Sequence, residues 1–182
     1  MGKSVKLGLL GGSFDPIHRA HIVIAKQAQE RLGLDQVHFI VAKEAPHKPL
    51  VLDADKRYEL VAKALEEETT LVPSDIELKR EGVSYSYLTV EDYKAKYPEA
   101  ELVWILGEDA FAELEGWKYY DYLAANLEFY VVPREINISS TQVREAEDVK
   151  ELVPESIAQL VEEYYQGTSV IARSGTTKQS SC

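Results

Sequence analysis

The chain has 182 residues, 45% hydrophobic and 28% charged, which suits one soluble globular domain with a sizeable core. No apolar run is long enough to span a bilayer, and the single cysteine, Cys182, excludes a disulfide framework, so a cytoplasmic protein with no membrane partner is expected. A net charge of -11 excludes a broad nucleic-acid-binding face, so a site for an anionic ligand must gather its positive groups locally.

In chain order, "VKLGLL" (Val5 to Leu10) reads as a short buried strand ended by Gly11 and Gly12. "HIVIAKQAQERLGL" carries apolar residues at helical spacing, and Gly33 is a suitable stop. "QVHFIVA" (Gln36 to Ala42) is a second strand. "DADKRYELVAKALEEE" opens on an acidic cap and reads as a helix. "SYLTVEDYKAKY" is helical, and "ELVWILG" (Glu101 to Gly107) and "LEFYVVP" (Leu127 to Pro133) are further buried strands. "PESIAQLVEEYYQ" is a closing helix with Pro154 near its first turn.

Apolar strands separated by helices predict an α/β fold: a Rossmann-like, doubly wound, mainly parallel sheet with helices on both faces, in a single domain. The expected domain is 1–166, with 167–182 a polar, disordered tail. Ligands of such sheets lie beyond the carboxyl ends of the strands, and the loop after the first strand sits at that edge.

That loop is "GGSFDPIHRAH", Gly11 to His21. Each part has an ordinary use: a glycine pair makes a tight turn, Asp15-Pro16 starts a turn or helix, and a histidine is usually structural. Their coincidence at a strand-to-helix junction points to a site. The loop lacks the G-x-G-x-x-G of a dinucleotide fingerprint and the Gly-Lys-Ser/Thr of a Walker A loop. His18 and His21 could share a helix face, but no third ligand stands at metal-like spacing, so no dedicated metal site is expected. Phosphate fits the chemistry. A helix N-terminus offers N–H groups and a positive dipole end, glycines admit an oxyanion, Ser13 adds a hydroxyl, and two imidazoles donate to phosphoryl oxygens.

The loop resembles the H-x-G-H motif of the nucleotidyltransferase superfamily, and "ISSTQVR" (Ile138 to Arg144) resembles that superfamily's second phosphate-binding motif. "APHK" (Ala45 to Lys48), "EGVSYSYLT" (Glu81 to Thr89), "ILGEDAFAELEGW" (Ile105 to Trp117) and "KELVPESIAQLVEEYY" are similar to stretches of the bacterial nicotinate-nucleotide adenylyltransferase family. The resemblance covers nearly all of Val5 to Tyr165. Ala20 stands where the first motif has glycine. Ser86 and Leu88 stand where the family has threonine and aspartate. Only Arg134 to Asn137 separates "FYVVP" from "ISSTQVR", where the family has a longer segment, so a sheet one strand shorter is expected.

The resemblance implies a direct in-line transfer of an adenylyl group from ATP to nicotinate mononucleotide, with pyrophosphate leaving and no general base required. It implies that His18 and His21 hold the reacting α-phosphate, helped by Gly11, Gly12, Ser13 and Phe14. Lys48 would bridge the two substrates' phosphates. Asp109, after Gly107, would bind a ribose. Ile138, Ser139, Ser140, Thr141 and Arg144 would hold the departing phosphates. Trp117 would stack on the nicotinate ring, bordered by Ser84, Tyr85 and Ser86. Mg²⁺ would accompany ATP, carried by phosphates and water. The partners are then ATP and a pyridine mononucleotide, with no nucleic acid, and a homo-oligomer is left open. Taken singly, these residues have bland roles: Trp117 packing, Ser139 to Thr141 a helix cap, Arg144 and Lys48 solvated. Two rival functions remain at this level, the same chemistry on nicotinamide mononucleotide or phosphopantetheine, and a nucleotide-binding module without catalysis.

Overall fold

The computed structural model describes residues 4–44, 49–133 and 138–166. The elements alternate: β1 Lys6–Gly12, α1 Arg19–Leu32, β2 Gln36–Val41, α2 Ala54–Ala64, β3 Leu71–Ser74, α3 Ser86–Lys96, β4 Glu101–Gly107, α4 Glu108–Ala112, α5 Tyr120–Asn126, β5 Glu128–Val132, α6 Ser140–Glu145 and α7 Glu155–Val161. A wider helical turn, Glu162–Gln166, extends α7. The strands form one five-stranded sheet in the order β3-β2-β1-β4-β5, every neighbouring pair parallel.

Side-chain alternation along the strands supplies two cores. Val37, Phe39 and Val41 of β2 and Val103 and Ile105 of β4 face one side, where they pack with Ala25 and Ala28 of α1, Leu60 and Val61 of α2, and Ile157 and Val161 of α7. Leu7 and Leu9 of β1, Ile40 of β2 and Leu102, Trp104 and Leu106 of β4 face the other, against Val90 and Tyr93 of α3 and Leu123 of α5. Burial on both faces explains why these strands read as near-continuous apolar runs. The expected doubly wound sheet is present.

Local signals set the helix ends. Asp53 caps α2 by accepting the Lys56 backbone N–H at 2.9 Å. Gly33 closes α1 in the left-handed region, φ 63°, which a glycine enters without penalty. Two sequence expectations need correction. The first strand does not stop at the glycine pair: Gly11 and Gly12 continue the ladder opposite Ile40 and Val41. The chain also holds a strand that the apolar pattern does not signal, β3, short and interrupted by Pro73, and it lies at the sheet edge, where proline is tolerated. The short connection 134–137 lies outside the described residues. On either side of it β5 pairs with β4, and Ile138 packs against the α1/α2/α7 core. None of the described helices is long and apolar enough to cross a membrane.

Candidate active site

β1 and β4 are adjacent, and their carboxyl ends open onto a cleft of about 530 Å³. Gly11, Gly12, His21, Ser84, Ser86, Gly107, Asp109 and Trp117 all line it, so residues far apart in sequence meet as expected. The glycines are needed here. A Cβ on Gly11 would lie 3.2 Å from the Trp104 ring, and one on Gly12 would lie 2.9 Å from the Phe14 ring.

Beyond β1 the chain passes through Phe14 at φ 45°, a conformation an aromatic residue rarely adopts. Packing holds it there: the Phe14 ring is buried, 5.6 Å from Phe39 and edge-on to His21 at 5.0 Å. Its side chain therefore belongs to the core. The Asp15-Pro16 bond is cis. His18 is the buried N-cap of α1, and its ring stacks on His21 with centroids 3.7 Å apart. The His18 backbone N–H donates to His21 Nδ1 at 3.2 Å. A ring nitrogen that accepts is unprotonated, so a neutral His21 carries its proton on Nε2. Ala20 is buried and is not among the cleft-lining residues.

The second motif is docked on this loop. Ser139 caps α6, accepting from Gln142 N–H at 3.2 Å while the Gln142 side chain accepts from Ser139 N–H at 2.7 Å. Ser140 Oγ donates to the Pro16 carbonyl at 2.9 Å. The Arg144 guanidinium donates to the Asp15 carbonyl and, at 3.1 Å, to Thr141 Oγ1. So Ser139 does serve as the helix cap expected of it in isolation, while Ser140 and Arg144 tie α6 to the loop after β1. Ser13 and His18 of the loop, and Ile138 to Thr141 and Arg144 beside it, are not part of the cleft lining. Lys48 lies outside the described residues.

Trp117 also lines the cleft, half-buried and edge-on to Trp104 at 6.0 Å. Ser84 and Ser86 flank Tyr85, whose exposed ring lies under Lys118 Nζ at 4.3 Å and which is not among the lining residues. Gly107 is the N-cap of α4, and Asp109 stands exposed in that helix's first turn. Glu77, Glu44 and Glu108 also line the cleft. Glu77 is buried and accepts from Thr89 Oγ1 at 2.8 Å. Burial raises its pKa, and the Thr89 bond and nearby Arg80 oppose the rise.

Three polar residues beneath the loop have no counterpart among the expected site residues. Asp15 is fully buried and accepts from Val51 N–H at 2.7 Å, Leu52 N–H at 3.3 Å and Tyr165 Oη at 2.6 Å. Burial and then the Asp15 hydrogen bond push the Tyr165 phenol far above its ordinary range. Arg57, also fully buried, donates from Nε to the Leu52 carbonyl at 3.1 Å, from Nη2 to the Lys43 carbonyl at 3.2 Å, and from Nη1 to the Ser13 carbonyl. The signal for Arg57 was present: it shares a helical stripe with Leu60 and Val61, where a charge has no solvent.

The cytidylyltransferase-like family matches residues 9–146 of the chain. A protein of Exiguobacterium sibiricum named as a probable nicotinate-nucleotide adenylyltransferase is 36% identical over 184 residues, covering 88% of this chain and 97% of the relative. One of the same name from Clostridium botulinum is 44% identical over 133 residues, covering 72% of this chain and 66% of the relative. Among solved structures, the Plasmodium falciparum nicotinic acid mononucleotide adenylyltransferase in complex with NaAD superposes with a TM-score of 0.70 at 14% identity, over 92% of this chain and 98% of that one. That likeness speaks to the fold. The length and level of the sequence matches, together with a two-histidine loop at the end of β1, place the chain in the cytidylyltransferase-like family, among the nicotinate-nucleotide adenylyltransferases.

Proposed function

We propose that this protein transfers the adenylyl group of ATP to nicotinate mononucleotide, giving nicotinate adenine dinucleotide and pyrophosphate, as a step of NAD biosynthesis. The observation that carries the reading is the stacked His18–His21 pair at the α1 N-terminus, with His21 lining a cleft that Trp117, Ser84 and Ser86 also line. The helix N-terminus suits phosphate and the tryptophan a flat aromatic ring.

A phosphate oxygen of the mononucleotide attacks the α-phosphorus of ATP in line, and the bond from that phosphorus to the β-phosphate oxygen breaks. The nucleophile is already an anion, so no residue need remove a proton. The chain's contribution is positioning and charge stabilisation. His21 Nε2–H, fixed by the bond at Nδ1, donates to the α-phosphoryl oxygen, and His18 and the α1 N-terminus lie beside it. Ser140, Thr141 and Arg144 take the leaving phosphates, Lys48 bridges the substrates, Asp109 holds a ribose hydroxyl, and Trp117 stacks on the pyridine. Mg²⁺ bound to ATP would lower the negative charge of its phosphates. ATP and the mononucleotide belong to the cytoplasmic pool, where we place the enzyme.

Pyrophosphate release with ATP and, in parallel, nicotinate mononucleotide, nicotinamide mononucleotide and phosphopantetheine tests the reading. The expected result is release with nicotinate mononucleotide at the highest kcat/KM. Tight ATP binding without release for any acceptor would identify a non-catalytic module.

A further inference from the structure

Gly12 and Val41 are the last paired residues of β1 and β2, and one further ladder bond runs from Ala42 N–H to the Gly12 carbonyl at 2.9 Å. Beyond it the two chains separate. One becomes the phosphate loop. The other becomes the loop that places Glu44 on the cleft and leads to Lys48. Past that point the strand-to-strand bonds no longer fix the distance between the loops. Two side chains do. Asp15 of the first loop accepts from Val51 N–H and Leu52 N–H of the second, and the Arg57 guanidinium holds the Ser13 carbonyl of one loop and the Lys43 carbonyl of the other, with its Nε on Leu52.

The arrangement needs a planar fork. Three donors in one plane reach three carbonyls from three segments, and an ammonium on a flexible stem cannot reproduce that geometry. The fork is fully buried, so water cannot substitute for a lost bond. The Asp15 carboxylate beside it offsets the cost of its charge. The same Asp15 receives Tyr165 Oη through its side chain and Arg144 through its carbonyl.

We propose that Arg57 is a positioning residue for adenylyl transfer: it fixes the phosphate loop after β1 against the loop after β2, so that the ATP-binding and acceptor-binding halves of the cleft are in register. This rests on the adenylyltransferase reading above. Arg57 touches neither substrate. Its loss lets the loops shift relative to each other, and misplacement by about 1 Å costs on the order of 10²-fold in rate.

The test is Arg57→Lys, which keeps the charge and removes the fork, measured beside wild type well below both melting temperatures. A folded variant, by circular dichroism, is expected to lose about 10–10²-fold in kcat, with KM for ATP and for the mononucleotide each within about threefold of wild type. Arg57→Gln, which keeps one amide donor group, serves as the second variant and takes over if Arg57→Lys does not fold. The proposal is overturned if a folded variant keeps kcat within twofold of wild type, if only KM changes, or if neither variant folds, since Arg57 is then structural. A wild-type enzyme that releases no pyrophosphate with any mononucleotide overturns the adenylyltransferase reading itself and this proposal with it. A working wild type beside a working variant overturns the proposal alone.

Discussion

The His18 backbone N–H donates to His21 Nδ1. The bond fixes the tautomer and aims the Nε2–H. The stacked, buried His18 ring restricts where His21 can turn. We therefore expect His18→Ala to lower kcat by at least ~10²-fold, the scale of losing one transition-state donor, in a steady-state pyrophosphate assay. Near-normal turnover in that variant would remove His18 from the mechanism. Trp117→Ala should act differently. It removes a stacking face on the acceptor side, worth about 1–2 kcal/mol, so KM for the mononucleotide should rise roughly tenfold while KM for ATP stays put. At this scale the sequence was legible where residue types cluster in the chain, as in Gly11 to His21. It was not legible for Arg57, Asp15 and Tyr165, because a buried network joins carbonyls and side chains from five segments that only the fold brings together.

The strands have less room than their composition suggests. A Cβ on Gly8 would stand 2.8 Å from Leu34 Cδ1 and 3.0 Å from Ile105 Cδ1. Gly8→Ala should cost about 1–3 kcal/mol by overpacking, read as a lower urea midpoint at unchanged m-value. On the opposite face of the sheet, His38 of β2 is buried between Tyr93 Oη at 2.9 Å and Gln36 Oε1 at 3.1 Å. Burial, and then the charge of Lys96, lower its pKa from 6.5 to about 4. The unfolded chain thus binds this proton more readily than the native one. Its contribution to stability is complete above the unfolded pKa and falls as pH drops from 6.5 toward 4. Between pH 7.5 and 5.5 wild type should lose about 1 kcal/mol more than His38→Asn in urea unfolding, and equal losses would show that His38 does not titrate this way. The existence and type of β1, β2, β4 and β5 were readable because each is an apolar run bounded by turn signals. β3 was not, since four residues including Pro73 carry no usable period. The end of β1 was misjudged because a glycine pair looks like a turn, whereas here two aromatic rings occupy the space a side chain would need.

For the whole molecule, the acidic balance and the site fit together only locally. Glu44, Glu77, Glu108 and Asp109 line the cleft, no Lys or Arg does so among the described residues, and the net charge is -11. On the proposed function, binding of an anionic nucleotide would rest on the α1 N-terminus, the histidines and the α6 motif docked on the loop, not on a general positive field. The helical turn after α7 contributes too, since Tyr165 reaches back to Asp15. A chain ended after Glu163 is expected to fall below the full chain in kcat and melting temperature. Equal behaviour of the two would separate the closing helix from the site. The measurement that bears most directly on the central claim is pyrophosphate release by the purified protein with ATP and nicotinate mononucleotide, with formation of the dinucleotide followed in the same reaction. The account predicts one pyrophosphate released per dinucleotide formed, with His18→Ala slower by at least ~10²-fold. ATP binding with no dinucleotide formed, or turnover unchanged in His18→Ala, would contradict it.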